Sequence, residues 1–247
     1  MKLTVVGCAS AYTRRPGNAS SCYLVENEGR AVVLDMGQGT FSELARYRAA
    51  ETVDGVLVSH LHADHLVDLI PFRHYLRYEA DARGRVALYG PAQLRGRFDA
   101  FQAEKGFLSP LAGDALEPGV FELAGLRVEA RHVTHIEDSY AFRISSMMYG
   151  AGLVYSGDCA RADDLLPLLK EGDTLLCEAA FGAGPGGGGG HITAQEGARI
   201  AAEAGVGRLI LTHILDRHDG DEARRAAEEV FGGVVLLAQP GLSLDVD

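Results

Sequence analysis

Residues 59 to 65 read Ser59-His60-Leu61-His62-Ala63-Asp64-His65, which sets three imidazoles and a carboxylate within six positions. In an extended segment residues two apart share a side, so His60 and His62 can reach one ion together. Asp64 and His65 stand where the chain turns into a helix and can point at a second ion close by. Neutral imidazole together with carboxylate suits zinc, and also manganese or iron. One isolated histidine is usually structural, but four such groups crowded at one strand end repel one another on protonation. Metal binding is the stronger reading.

A pair of ions needs more ligands, and candidates come late in the chain. They are His135, Asp158 in Tyr155-Ser156-Gly157-Asp158, and His213 in Leu209-Ile210-Leu211-Thr212-His213. Each follows an apolar strand-like run, and strand ends are where open α/β sheets build their sites. His132, three residues before His135, is an alternative ligand.

His60 to His65 with these later residues resembles the metallo-β-lactamase superfamily, over nearly the whole chain. The resemblance implies an α/β fold, a four-layer αββα sandwich whose two mixed β-sheets are flanked by helices, in a single hydrolase domain over residues 1–247. It implies two divalent metal ions, zinc before manganese or iron. His60, His62 and His135 would hold one, Asp64, His65 and His213 the other, with Asp158 between them. The run His135–Ile144 resembles the histidine-to-aromatic segment of the ribonuclease Z-like branch, which favours His135 over His132. Asp35, in Leu34-Asp35-Met36-Gly37, matches the early Asp-x-Gly that orients a histidine ligand from behind; on residue type alone it could equally close a turn. His191, in Gly190-His191-Ile192-Thr193-Ala194, matches a histidine of that branch that contacts phosphate and helps to protonate the leaving group. Its alternative is a loop residue beside a helix capped by Thr193. On this reading Asp64, Asp158 and His191 are the catalytic residues.

The elements that must position these groups follow from pattern. Strand-like runs Lys2–Val6, Ser21–Glu26 and Ala31–Leu34, divided by turn signals, predict an antiparallel portion. A helix over Phe41–Arg48, a buried strand Gly55–Ser59 and an amphipathic helix Leu66–Tyr78 come next. Strand Val86–Tyr89, helix Pro91–Gly106 and strands Phe121–Leu123, Leu126–His132, Tyr140–Ile144 and Gly152–Ser156 follow. The last third alternates helix Asp163–Leu169, strand Thr174–Glu178, helix Ala194–Ala204, strand Arg208–Thr212, helix Glu222–Phe231 and strand Gly233–Leu237, so mixed sheets with outer helices result. The glycine-rich run 182–190 reads as a mobile loop, with an interdomain linker as the alternative. His74 and His218 read as surface residues, and Asp216 with Arg217 as a pocket rim or a solvated pair.

Composition bounds the chemistry. The 247 residues are 47% hydrophobic and 23% charged, as in an ordinary soluble globule, and no apolar run approaches the roughly 20 residues of a spanning helix. Acidic residues outnumber basic ones 34 to 23, a formal charge of −11 that opposes binding to extended nucleic acid. Four cysteines without a CxxC pair, and only seven residues before Cys8, favour a cytoplasmic protein over an exported one. Inside this acidic chain, two dications against two carboxylates and a bridging hydroxide leave a site with net positive charge, suited to a small anionic substrate. Two ions lower the pKa of a shared water, present hydroxide as nucleophile and stabilise attacking and leaving oxygens, so hydrolysis is the natural reaction.

Two departures from the branch narrow the substrate. From His135 to Asp158 is only 23 positions, too few for the long arm with which ribonuclease Z grips transfer RNA. Asp68 stands where members that process transfer RNA usually have glycine. The reading is a phosphodiesterase on small or cyclic phosphodiesters using a metal-bridging hydroxide, and the resemblance further implies a homodimer. Alternatives are a lactonase or thioesterase, a tRNA 3′-processing endonuclease, or a metal-binding protein without turnover.

Overall fold

A computed structural model of the chain describes residues 1–80, 85–147, 150–184, 186 and 189–246. The first half forms β1 (Lys2–Gly7), β2 (Cys22–Asn27), β3 (Arg30–Leu34), α1 (Thr40–Leu44), β4 (Gly55–Leu57), α2 (Ala63–Leu66), α3 (Leu69–Tyr78), β5 (Ala87–Tyr89) and α4 (Leu94–Gln102). The second forms β6 (Gly119–Leu123), β7 (Leu126–His132), β8 (Tyr140–Ser146), β9 (Leu153–Tyr155), β10 (Thr174–Glu178), α5 (Ala194–Ala204), β11 (Arg208–Thr212), α6 (Gly220–Phe231), β12 (Val234–Leu237) and β13 (Ser243–Asp245). A six-stranded sheet runs β13-β1-β2-β3-β4-β5 and a seven-stranded sheet runs β12-β11-β10-β9-β8-β7-β6. Both are mixed: β1, β2 and β3 pair antiparallel while β3, β4 and β5 run parallel, and β6 to β9 are antiparallel while β9 to β12 are parallel.

The alternation of side chains along the strands sorts the core into layers. Val6, Leu24, Val33 and Val56 pack against Leu44, Leu69, Phe72, Leu76 and Phe98 of α1, α3 and α4. The opposite faces, Leu3, Val5, Val25, Val32 and Leu57, meet Leu126, Val128, Phe142, Ile144, Leu176 and Ile210 of the second sheet. Beyond that sheet, Leu175, Leu209 and Leu211 pack on Ile200, Ala201, Ala223 and Ala227 of α5 and α6. Helices, sheet, sheet, helices: the expected αββα sandwich is the observed one. Strands buried on both faces read as continuous apolar runs, which is why they stood out in sequence.

Parallel register brings the functional strand ends to one edge. Leu176 lies opposite Tyr155 and Glu178 opposite Thr212, so the residues after β9, β10 and β11 emerge together. On the first sheet Leu34 lies opposite Leu57, which sets Asp35 beside the segment that leads into His60.

The helix predicted over Leu66–Tyr78 is two helices, α2 and α3. The Asp68 N–H donates to the Met36 carbonyl at 3.0 Å and the Met36 N–H donates to the His65 carbonyl at 2.7 Å, so the Asp35–Gly37 loop takes backbone groups that one continuous helix would use. The helix predicted over Phe41–Arg48 ends at Leu44, and Asp163–Leu169 contains only a 3-10 turn, Ala162–Leu165. The polar edge strand β13 carried no apolar signal. Residues 185, 187 and 188 of the glycine run lie outside the described residues, and so does the reading of a mobile loop there. Among the described residues no helix is long and apolar enough to cross a membrane.

Gly37 is required by close approach. A Cβ there would stand 1.9 Å from the Asp64 carbonyl oxygen. Gly37→Ala is therefore expected to destabilise the protein by about 3 kcal/mol, the upper end for an overpacked site, read as a fall in thermal midpoint; an unchanged midpoint would contradict the packing described.

Candidate metal centre

Three of the site histidines, His60, His65 and His135, are aimed by a partner on the far nitrogen. The Asp35 Oδ2 lies 2.7 Å from His65 Nδ1 and accepts from Ser59 Oγ at 2.7 Å, while Asp35 Oδ1 accepts from the Ser59 N–H at 2.6 Å. Because the Ser59 hydroxyl donates to Asp35, it accepts from His60 Nδ1, 3.0 Å away. His135 Nδ1 donates to the Gly190 carbonyl at 2.6 Å. These partners place the proton on Nδ1 of His60, His65 and His135 and leave each Nε2 lone pair bare toward the site.

The bare atoms converge as two groups. His62 Nδ1 is 3.1 Å from both His60 Nε2 and His135 Nε2, and these two lie 3.5 and 3.7 Å from Asp158 Oδ2. His65 Nε2 is 3.3 Å from His213 Nε2, His213 Nε2 is 3.2 Å from Asp64 Oδ2, and both imidazoles face Asp158 Oδ1 at 3.3 and 3.5 Å. Asp158 thus presents one carboxylate oxygen to each group. It is 2% exposed, and Oδ1 has no hydrogen-bond partner.

This donor set fits cations. Two donors each about 2.1 Å from one zinc at the tetrahedral angle stand about 3.4 Å apart, the spacing seen in both groups. Two imidazoles aimed at the single lone pair of His62 Nδ1 cannot both be satisfied by protons. Burial first, then the neighbouring His65, holds His60 well below its ordinary pKa, and burial also lowers His62 and His135, which favours the neutral form of these three rings. At His65 burial is outweighed by Asp158 and Asp35, which hold it well above its ordinary value until a cation takes the proton's place. Burial alone would raise Asp158, but His213, His65 and His60 outweigh it and hold the carboxyl well below its usual range. Two site residues carry left-handed backbone, Asp35 at φ 58° and His213 at φ 57°, a strain on the order of 1 kcal/mol each that the surrounding packing must hold.

A model of the beta-lactamase superfamily domain matches residues 30–214, a span that contains every one of these groups. The chain belongs to the beta-lactamase superfamily. Among superfamily relatives, the chain is 30% identical to the probable metallo-hydrolase YhfI of Bacillus subtilis, over 98% of each chain. It superimposes on the crystal structure of that protein with a TM-score of 0.88 at 28% identity, covering 98% of both. It is also 25% identical to a ribonuclease Z of Myxococcus xanthus, over 100% of this chain and 98% of that one. A diphosphatase from the PhnP family shares the fold, with a TM-score of 0.71 at 20% identity over 100% of this chain and 98% of that one.

The structure brings the residues singled out in the sequence together. His60, His62, Asp64, His65, His135, Asp158 and His213 all stand in the two groups, and Asp35 sits behind them as the resemblance implies. His132 does not; it is exposed at the end of β7 with its ring 4.5 Å from that of Tyr140. His74 stacks on Tyr78, and His218 bonds to Arg217, both outside the groups. Asp216 pairs with the other end of the chain, accepting from the Arg14 N–H at 2.7 Å and facing Arg15 at 3.4 Å, rather than with Arg217. Asp68 accepts from the Phe41 N–H at 2.9 Å and so anchors the start of α1, which gives this departure from glycine a structural role.

His191 stands between the two groups, its ring 5.0 Å from that of His135 and 5.5 Å from that of His213 and its Nδ1 3.9 Å from Asp158 Oδ2. Its partner is Glu178, which sequence reading missed. Glu178 Oε1 lies 2.9 Å from His191 Nδ1 and accepts from the Cys159 N–H at 2.8 Å. Burial pushes the Glu178 carboxyl up; burial would lower His191, but the Glu178 hydrogen bond and charge outweigh it and hold the imidazole above its ordinary value. The available signal was an acid ending an apolar strand, as Asp158 and His213 follow theirs. Thr193 caps α5 with Glu196 in a reciprocal capping box, which leaves the His191 ring free to face the site.

Freshly purified protein saturated with zinc is expected to hold about two ions per chain, the number a shared-carboxylate site takes. Asp158→Ala should lower that content with the circular dichroism spectrum unchanged. Elemental analysis checks both; equal content in the variant would contradict the shared role of Asp158.

Proposed function

We propose that this protein is a dinuclear metal-dependent hydrolase that cleaves small or cyclic phosphodiesters. The observation that carries the reading is the placement of His191, backed by a buried carboxylate, beside a carboxylate shared by two donor groups. His60, His62 and His135 would hold one cation, Asp64, His65 and His213 the other, and Asp158 both. Bound there, the cations supply an activated water and offset charge on the attacking and leaving oxygens.

The chain's own groups do the rest. The Ser59–Asp35 network keeps the Nε2 atoms of His60 and His65 unprotonated and aimed. His191 donates from Nδ1 to Glu178, which leaves Nε2 to deliver a proton to a departing alkoxide. Glu178 favours the charged imidazole and keeps the ring from rotating. Phe181 packs edge-on against the His191 ring with centroids 5.8 Å apart and shields one side of it from water.

The positive site favours an anion, and the names of a ribonuclease Z and a diphosphatase among the relatives support phosphate over carbonyl chemistry. The charge of −11 and the short interval from His135 to Asp158 support a small substrate over transfer RNA.

Zinc- or manganese-loaded protein is expected to turn over bis(p-nitrophenyl) phosphate and a cyclic nucleotide. No phosphodiester turnover with either metal, together with turnover of a lactone or thioester, would overturn the reading. His191→Ala should lower kcat by about 10²–10⁴-fold while metal content stays constant. Because His191 acts protonated, activity falls as pH rises through its pKa. Glu178→Gln removes the charge that raises this pKa, so the alkaline limb of the kcat profile should move to lower pH; an unmoved limb would contradict the pairing.

A further inference from the structure

The two donor groups are assembled from both sheets, and their separation depends on how the sheets are locked beneath them. Asp35, His60, His62, Asp64 and His65 follow strands of the first sheet, whereas Asp158 and His213 follow strands of the second. Under the site, in the layer between the sheets, lie two polar ties, Tyr155 to Asp35 and Tyr23 to Thr212. The Tyr155 hydroxyl, on a ring 1% exposed, donates to Asp35 Oδ2 at 2.6 Å. Tyr155 is the last residue of β9, three positions before Asp158.

We infer that Tyr155 is a positioning residue for the cation of the Asp64, His65 and His213 group. Asp35 Oδ2 takes three donors, Tyr155 from the second sheet and Ser59 Oγ and His65 Nδ1 from the first. The phenol can only donate here, so its direction is fixed. Through this one oxygen the Tyr155–Asp158 segment is held against the carboxylate that aims His65, whose Nε2 stands 3.3 Å from Asp158 Oδ1. Without the hydroxyl, a three-donor oxygen becomes a two-donor oxygen, and the Asp35 carboxylate loses the contact that ties it to the second sheet. The His60 group stands one hydrogen bond further from this change, because His60 reaches Asp35 Oδ2 only through the Ser59 hydroxyl, while His135 is aimed through Gly190. The Tyr23 ring, with its centroid 5.0 Å from that of Tyr155, fixes the plane of the phenol, and its own hydroxyl is bound to Thr212 at 2.7 Å.

The inference rests on the two-cation reading of the site and is independent of which substrate is cleaved. Tyr155→Phe removes the hydroxyl and keeps the ring. Stepwise chelation of zinc-loaded wild type and variant reads the two affinities, and visible absorption of the cobalt(II)-substituted forms reads the geometry at each position. Expected is a loss of about 10–100-fold in affinity for one of the two ions, the usual effect of altering a partner behind a ligand, with a smaller loss for the other ion and one component of the cobalt spectrum shifted more than the other. Unchanged affinities and spectrum in the variant would overturn the role while leaving two-ion binding by the wild type intact. A wild type that takes up no cation would remove the reading on which the role rests.

A measurement on the wild type alone covers the case of a variant that does not fold. In protein carrying ring-labelled tyrosine, the Tyr155 hydroxyl proton should exchange slowly with water and shift when the second equivalent of zinc is added. A rapidly exchanging proton, or one insensitive to that addition, overturns the inference.

Discussion

Five imidazoles and two carboxylates directed at one small buried volume are a costly arrangement for a protein to maintain. Bare nitrogen lone pairs face each other at 3.1–3.3 Å, and a carboxylate oxygen lacks any hydrogen-bond donor. Removing such groups from water without compensation disfavours folding. The compensation comes in two forms: a framework stiff enough to hold the groups, and cations able to neutralise what they present. The αββα sandwich provides the first by locking both sheets through a continuous apolar layer, then setting each ligand at a strand end. The donor set itself specifies the second.

Control of proton position follows from the same constraint. A histidine is a ligand only if the nitrogen that faces the ion is bare, and the molecule settles this from behind. Asp35, Ser59 and Gly190 each occupy the opposite nitrogen of a ligand. Glu178 does likewise for His191, but in a setting that favours the charged ring. One kind of hydrogen bond therefore leaves bare nitrogens facing both oxygens of Asp158 and, beside them, a ring that favours its charged form. The difference lies in burial and in the charge behind the ring.

Much of this was legible in the residues. The run from His60 to His65 declared the site because its candidate ligands are local, and Asp158 and His213 were findable because each follows an apolar parallel strand, whereas His135 follows the antiparallel strand β7. Helix α5 and strand β11 were read to their observed ends, since a capping box and an uninterrupted apolar run mark them sharply. What escaped reading depends on contacts distant in sequence. The break between α2 and α3 is caused by the Asp35–Gly37 loop, which takes the backbone bonds at Met36. The preference for His135 over His132 comes from the likeness of the run His135–Ile144, not from spacing, and the structure places His135 in the first group. Glu178 and Ser59 carry no spacing signal of their own; their roles exist only because β10 lies beside β9 and β4 beside β3.

The carboxylate shared between two groups of donors is the centre of the site, and the measurement that reaches it is an anomalous-difference map from crystals of the zinc-loaded protein. Two peaks are expected, one among His60, His62 and His135 and one among Asp64, His65 and His213, with a different oxygen of Asp158 toward each. A single peak with Asp158 turned away from it, or none at all, would contradict the account.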